Sequence, residues 1–310
     1  MKYSQVLVIG SIGKIQAFYT NQNKGDLEDL NLSSFETAEY LGGTGLTIAA
    51  TLRKLSSIPV KIWTLLGYDS TLYQRVLATL QIELASEIFQ DIKTADGRVI
   101  NFNRGEQQWL DFGSSVESLD PEINLDNIDS ANTLAILSPI YFKTFVKLQK
   151  EVIARGIDYI YDAGMLVHLL SDEEVREGIE NAKIVVANES EWRLIESRLG
   201  INPEMTSANG KPCIRTLSNR GTEVFINGEN QFIKSFPTES IDATGAGDNW
   251  RGAFLASILS GESFHRAVEI ANAVASMSVE YKATFDFPLD QSELNRRLEF
   301  IREDSELKFK

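Results

Sequence analysis

The chain has 310 residues, 43% hydrophobic and 24% charged, enough apolar content for a large core and too much for a disordered tract. Its formal net charge of −14 excludes the broad basic footprint of a general nucleic-acid binder, though a small anion can still bind locally at backbone amides and helix ends. The single cysteine, Cys213, excludes an internal disulfide and a cysteine-based zinc site, and no stretch reaches the roughly 18 apolar residues of a membrane span.

In chain order, "VLVIG" (Val6 to Gly10) reads as a buried strand, and as an apolar run too short for a signal peptide. A soluble cytoplasmic protein is the expectation. "VKIWTLLG" (Val60 to Gly67), "TLAILSP" (Thr133 to Pro139), "DYIYDAG" (Asp158 to Gly164) and "KIVVANE" (Lys183 to Glu189) read as further buried strands, with "PCIRTL" (Pro212 to Leu217) a weaker one. Helical patterns lie between them at Leu46 to Leu55, Phe142 to Ala154, Asp172 to Asn181 and Glu191 to Leu199. That alternation predicts an α/β fold, a mainly parallel sheet covered on both sides as three α/β/α layers. Two stretches break the rhythm, about 14–40 and about 84–112, and are expected to form one discontinuous β lid on a single domain spanning 1–310. Asp96-Gly97 and Asn227-Gly228 are hairpin signals. From Gly245 onward the pattern is mostly helical.

The richest stretch is "SIDATGAGDNWRGAF", Ser240 to Phe254. Gly245 and Gly247 permit backbone angles closed to other residues, so consecutive amides can form an anion nest at a helix start. Asp248 has two readings. It complements the helix dipole, or it is a base. Phosphoryl transfer uses every part: the amides hold the charge on the moving phosphoryl oxygens, and Asp248 accepts the proton of the attacking hydroxyl. "GSIGK" (Gly10 to Lys14) is not a P-loop, because Ile15 follows the lysine. The stretch also lacks the Rossmann glycine pattern.

"DATGAGDNWRGAF" resembles the signature of the ribokinase-like (PfkB) carbohydrate kinase family, close to D-T-x-G-A-G-D-x-F-x-x-G-F, with Ala243 and Trp250 departing from it. "GGTGLTIAATLRKL" from Gly42, "NESEW" from Asn188, "TLSNRG" from Thr216 and "ANAVASMSVEYKAT" from Ala271 resemble other family motifs in the right order, so the resemblance covers nearly the whole chain. "DAGMLVHLLSDEEVREGIENAKIVVANESEW" is similar to a branch containing bacterial and archaeal adenosine and nucleoside kinases. The resemblance implies a ribokinase-like fold and a kinase that uses ATP and Mg2+. It implies Asp248 as base and Gly245, Ala246 and Gly247 as anion hole. Asn188 and Glu191 would hold Mg2+ through water, and Asp242 and the Thr244 carbonyl a monovalent cation such as K+. Thr216, Ser218, Gly221 and Asn272 would line the nucleotide. Taken alone, Asn188 and Glu191 read first as an ordinary strand end and an acidic helix start; the company of the other motifs favours the Mg2+ role.

The acceptor end departs from the family. Ile15 stands where an aspartate usually grips sugar hydroxyls, with Gln16 next. Thr47 stands for an asparagine after Gly42 and Gly43. Gly105-Glu106-Gln107 stands for Gly-Ala-Asn/Met, and Met165 and Leu166 for glutamines. A pocket without the complementary polar groups should not favour ordinary ribose. Lys282 takes a usual glycine position beside the adenine. Phe102 and Trp109 stack on a substrate ring or form the lid's own core, Arg98 and Arg104 reach an anionic substrate or are ordinary surface charges, and Asp26 to Asp29 is a solvated acidic face. Two functions follow. One is a small-molecule kinase acting on an alcohol of a sugar, nucleoside or related metabolite, as a monomer or a lid-mediated homodimer. The other is a non-catalytic nucleotide or metabolite sensor that keeps the fold.

Overall fold

The computed structural model describes residues 3–23, 35–103, 106–111 and 119–307. The acidic run at 26–29, Arg104, Gly105 and Phe112 lie outside them. The first strand, β1 (Gln5–Ile9), leads into β2 (Gly13–Tyr19), β3 (Glu36–Gly42), α1 (Thr44–Leu55), β4 (Val60–Trp63), β5 (Leu66–Gly67), α2 (Thr71–Thr79), β6 (Ile82–Leu84), β7 (Ile88–Phe89), β8 (Asp96–Asn101) and β9 (Gln107–Asp111). Next come β10 (Thr133–Leu137), α3 (Phe142–Ala154), β11 (Asp158–Tyr161), α4 (Asp172–Asn181), β12 (Ile184–Asn188), α5 (Glu189–Leu199) and α6 (Pro203–Ala208). The chain closes with β13 (Cys213–Thr216), β14 (Gly221–Ile226), β15 (Glu229–Lys234), α7 (Ala246–Leu259), α8 (Phe264–Ser278) and α9 (Gln291–Leu307).

The main sheet runs β15-β14-β13-β12-β11-β10-β1-β4-β6. It is parallel from β13 to β6, and β14 and β15 are antiparallel. Its strands are apolar throughout because both faces are covered. Alternation along β1 feeds two cores. Val6 and Val8 pack with residues of α1, α2, α7, α8 and α9, while Leu7 and Ile9 pack with α3, α4 and α5. This is the expected three-layer α/β/α arrangement. Asn227 and Gly228, both at positive φ, turn the β14–β15 hairpin as their sequence predicts. Cys213 is buried, and burial pushes its thiol up to about 12.

A second sheet has the order β3-β2-β8-β9. Asp96-Gly97 is not a hairpin turn, as the dipeptide suggested. Both residues open β8, which pairs in parallel with β2, and Ile15 faces Gly97. A short ladder to β2, not a local reversal, decides that conformation. Leu84 ends the edge strand of the main sheet, and β7 pairs with β5, so only the later part of the 84–112 stretch enters the small sheet. Among the described residues no helix is long and apolar enough to cross a membrane.

Candidate active site

Strand order reverses between β1 and β10, and the crevice outside the strand ends at such a switch point is where open α/β sheets place ligands. A cavity of about 700 Å³ lies there. Ser11 and Ile12 reach it from the end of β1, and Pro139, Asp162, Asn188 and Thr216 from the ends of β10 to β13. The start of α7 contributes Gly245, Gly247, Asp248 and Arg251. The small sheet covers one side with Ile15, Gly97, Gln107 and Trp109.

The helix start is built as the glycines require. Gly245 caps α7 at φ 79°, where a side chain would be strained, and a Cβ there would also press on Thr47 and Thr284. The amides of Gly247 and Asp248, in the first turn, have no acceptor within the helix. Small Gly252 lets α7 lie directly on α1, since a Cβ on it would come within 2.6 Å of the Ile48 carbonyl oxygen.

Below this turn sits a buried charge cluster. Arg251, one turn after Asp248, makes a two-pronged ion pair with Asp162, its Nη2 donating to Oδ1 at 2.6 Å. Glu191 is close by, and Asn188 holds it in a capping box. The Asn188 backbone N–H donates to Oε2 at 2.8 Å and its amide to Oε1 at 2.7 Å, while Asn188 Oδ1 accepts from the Glu191 N–H at 2.9 Å. Asp248 opens on the cavity but is enclosed by protein, and burial pushes its carboxyl up to about 7. Arg251 pulls it down, and the carboxylates of Asp162 and Glu191 push it further up. Burial also raises Glu191 above the usual range. Arg251 was not apparent from the motif, although its i+3 spacing from Asp248 puts the two on one helix face.

The other predicted positions divide. Gly43, Thr47, Met165, Thr216 and Thr244 line the cavity beside the helix start. Gly42 lies just behind, against Ile15 and Thr284. Ser218 and Gly221 close a tight 3-10 turn after Thr216, outside the lining. Three further positions lie away from the cavity wall. Gln16 alternates with Ile15 along β2, so Ile15 faces the cavity and Gln16 is not part of its wall. Phe102 is buried, and it too lies outside the wall. The Asn272 side chain is engaged inside the protein. Its Oδ1 accepts from Thr222 at 2.7 Å and from the Trp250 indole at 2.8 Å, and its Nδ2 donates to the carbonyls of Ile233 and Lys234. Trp250, the departure from the motif's phenylalanine, is thus anchored by that asparagine.

Asp242 is buried, and its carboxylate meets donors from the small sheet. The Tyr19 and Tyr40 hydroxyls donate to Oδ2 at 2.6 and 2.7 Å. The Thr244 N–H donates to Oδ1 at 2.8 Å, and the Gln107 amide nitrogen lies 3.3 Å from the same oxygen. Burial first, and then the carboxylate, raises both tyrosines above their ordinary range, so both stay protonated donors. Lys282 is ion-paired with Glu36 at 2.5 Å, its ammonium 4.6 Å from the centre of the Tyr19 ring.

Comparison with known proteins agrees with this architecture. A ribokinase of Bacillus subtilis is 27% identical over 161 residues, 50% of this chain and 55% of that protein, so the matched stretch spans about half of the relative. A nucleoside kinase of Methanothermobacter thermautotrophicus is 25% identical over 224 residues, 70% of this chain and 71% of that protein. In three dimensions the chain is similar to the nucleoside kinase of Burkholderia thailandensis. With inosine bound that structure gives a TM-score of 0.83 at 21% identity, covering 96% of this chain and 97% of the other. Its complex with ADP-inosine gives 0.81 at 20% identity, covering 96% and 95%. The model of the pfkB family of carbohydrate kinases matches residues 4–291, and the chain belongs to that family.

Proposed function

We propose that the protein transfers the γ-phosphoryl group of ATP to an alcohol of a sugar, nucleoside or related metabolite. The observation that carries this reading is the placement of Asp248. It stands at the mouth of an amide-lined helix start, enclosed, with a carboxyl near 7. A base is most effective when its pKa lies near the working pH. Asp248 takes the proton from the acceptor hydroxyl, and the turn Gly245-Ala246-Gly247 holds the charge of the phosphoryl oxygens in transit through its first-turn amide at Gly247, while the Ala246 amide bonds the Ala243 carbonyl. Arg251 is the balancing cation beneath both. Without it, three carboxylates would share one buried site.

The nucleotide would lie along Thr216, Ser218 and Gly221, and the similar nucleoside kinase of Burkholderia thailandensis has been solved in complex with ADP-inosine. Asn188 and Glu191 suit Mg2+ held through water, because each Glu191 oxygen accepts one bond from Asn188 and keeps another lone pair. Mg2+ bound there would neutralise charge on the β- and γ-phosphate oxygens. The small sheet serves as a lid over one catalytic domain. Ile15, Met165 and Leu166 line the acceptor side with apolar groups, which favours an acceptor with an apolar or aromatic body beside its reacting hydroxyl.

The test is ATP consumption with Mg2+ over a panel of sugars, nucleosides and vitamin-like alcohols. Asp248→Asn is expected to lower turnover of the active acceptor at least about 10²-fold. Unchanged turnover in that variant would remove Asp248 as base. Tight ATP binding with no phosphorylated product from the whole panel would favour the sensor.

A further inference from the structure

The family resemblance implies a monovalent cation against Asp242 and the Thr244 carbonyl, and the carboxylate of this chain has no room for one. A carboxylate offers about four lone-pair positions. Three of those of Asp242 are met by the hydroxyls of Tyr19 and Tyr40 and the N–H of Thr244, and the fourth is blocked by the Gln107 amide nitrogen at 3.3 Å, whose two hydrogens point mainly to Asn101 Oδ1 at 2.6 Å and Thr244 Oγ1. Gln107 also donates to Thr244 Oγ1 at 2.7 Å, so one small-sheet side chain grips both residues. The arrangement follows from register. Tyr19 is in β2, Tyr40 pairs with Ile15 across β3, and Gln107 pairs with Asn101 across β8 and β9. Asn101 in turn faces Tyr19, so period-two alternation presents all three on one face of the small sheet. A fixed positive charge is already nearby, since the Lys282 ammonium lies over the Tyr19 ring.

We propose that this protein works without a monovalent cation, and that Tyr19, Tyr40 and Gln107 take the cation's place as positioning residues for the loop that enters the anion hole. The inference rests on the kinase reading for its consequence, not for its geometry. A diffusible ion would order that loop whether or not the small sheet was docked. Here the donors travel with the small sheet, so docking it and ordering the segment from Asp242 to Gly245 are one event.

The experiment compares wild type with Tyr19→Phe/Tyr40→Phe in potassium, sodium and tetramethylammonium chlorides at equal ionic strength. Thermal melting and phosphoryl transfer are both read. Wild type is expected to melt at the same temperature and turn over at the same rate in all three salts. The double variant is expected to lose about tenfold or more of its transfer rate in tetramethylammonium, the scale of one hydrogen bond to a charged group. Potassium should restore part of that loss and raise the variant's melting temperature, as a ligand specific to the folded state does. Potassium-specific stabilisation or activation of wild type overturns the proposal, as does a double variant that behaves like wild type in every salt. Tyr40→Phe alone is read in the same way should the double variant fail to fold. The melting arm needs no turnover. Salt-blind melting of wild type together with potassium-specific stabilisation of the variant upholds the cation statement even where no acceptor is phosphorylated, and the missing turnover then counts against the kinase reading alone.

Discussion

At the scale of single residues, the proposed chemistry turns on Asp248 and Arg251. The Asp248 carboxyl lies near 7 against an ordinary 3.8, so kcat/KM should rise through an acid limb with its midpoint near pH 7. Arg251 holds that value down, so Arg251→Gln should move the limb to higher pH, read from a pH–rate profile. The same substitution strands Asp162 without its partner and should cost about 3–5 kcal/mol of stability by denaturant melting. Linkage gives the sign for the fold. Between about pH 4 and 7 the folded protein keeps a proton on Asp248 that the unfolded chain has released, so this group makes stability fall as pH rises through that window. Burial of Glu191 acts in the same direction. Asp248→Asn should flatten part of that slope. The glycine-aspartate stretch was legible because short motifs encode backbone geometry locally. Arg251 and the tyrosines on Asp242 were not, because their roles depend on partners far away in sequence.

At the scale of elements, α7 is the piece on which the site is mounted. Its contact with α1 requires Gly252. A Cβ there would lie 2.6 Å from the Ile48 carbonyl oxygen and 2.8 Å from the Thr51 Cβ, neither of which can swing away. Gly252→Ala should therefore destabilise by about 1–3 kcal/mol, measured by denaturant unfolding. It should also slow transfer more than its distance from the cavity suggests, since α7 carries Asp248. Helix and strand patterns placed most elements well: Phe142–Ala154 and Asp172–Asn181 form over the expected residues. The small sheet was harder to read. Its strands come from distant parts of the chain, and Asp96-Gly97 has the composition of a turn but is held in a ladder by a strand far earlier in the chain. Local composition carries no information about such a partner.

At the scale of the whole molecule, the cavity is shared by the main sheet and the small sheet, and Trp109 stands on the shared wall. The other three tryptophans, Trp63, Trp192 and Trp250, are buried in the two cores. Intrinsic fluorescence should therefore change when an acceptor fills the cavity, and Trp109→Phe should abolish the change while leaving the remaining emission in place. A signal that survives in Trp109→Phe would place the acceptor elsewhere. The α/β class could be read from alternation of strands and helices because that alternation is a property of the chain itself. The acceptor could not. The cavity wall gathers Ile15, Thr47 and Met165 from three distant segments, and only their meeting defines a shape.

The parallel pairing of β2 with β8 has a kinetic consequence. Ile15 cannot find Gly97 until everything from α1 to β7 has been laid down between them. Loop closure of that span must be met before the ladder returns any stabilisation, which makes long-range parallel pairing slow. The main sheet carries a wider closure still, from Gln5 to Thr133 across β1 and β10, so both sheets should be completed late, and neither can wait long on the other.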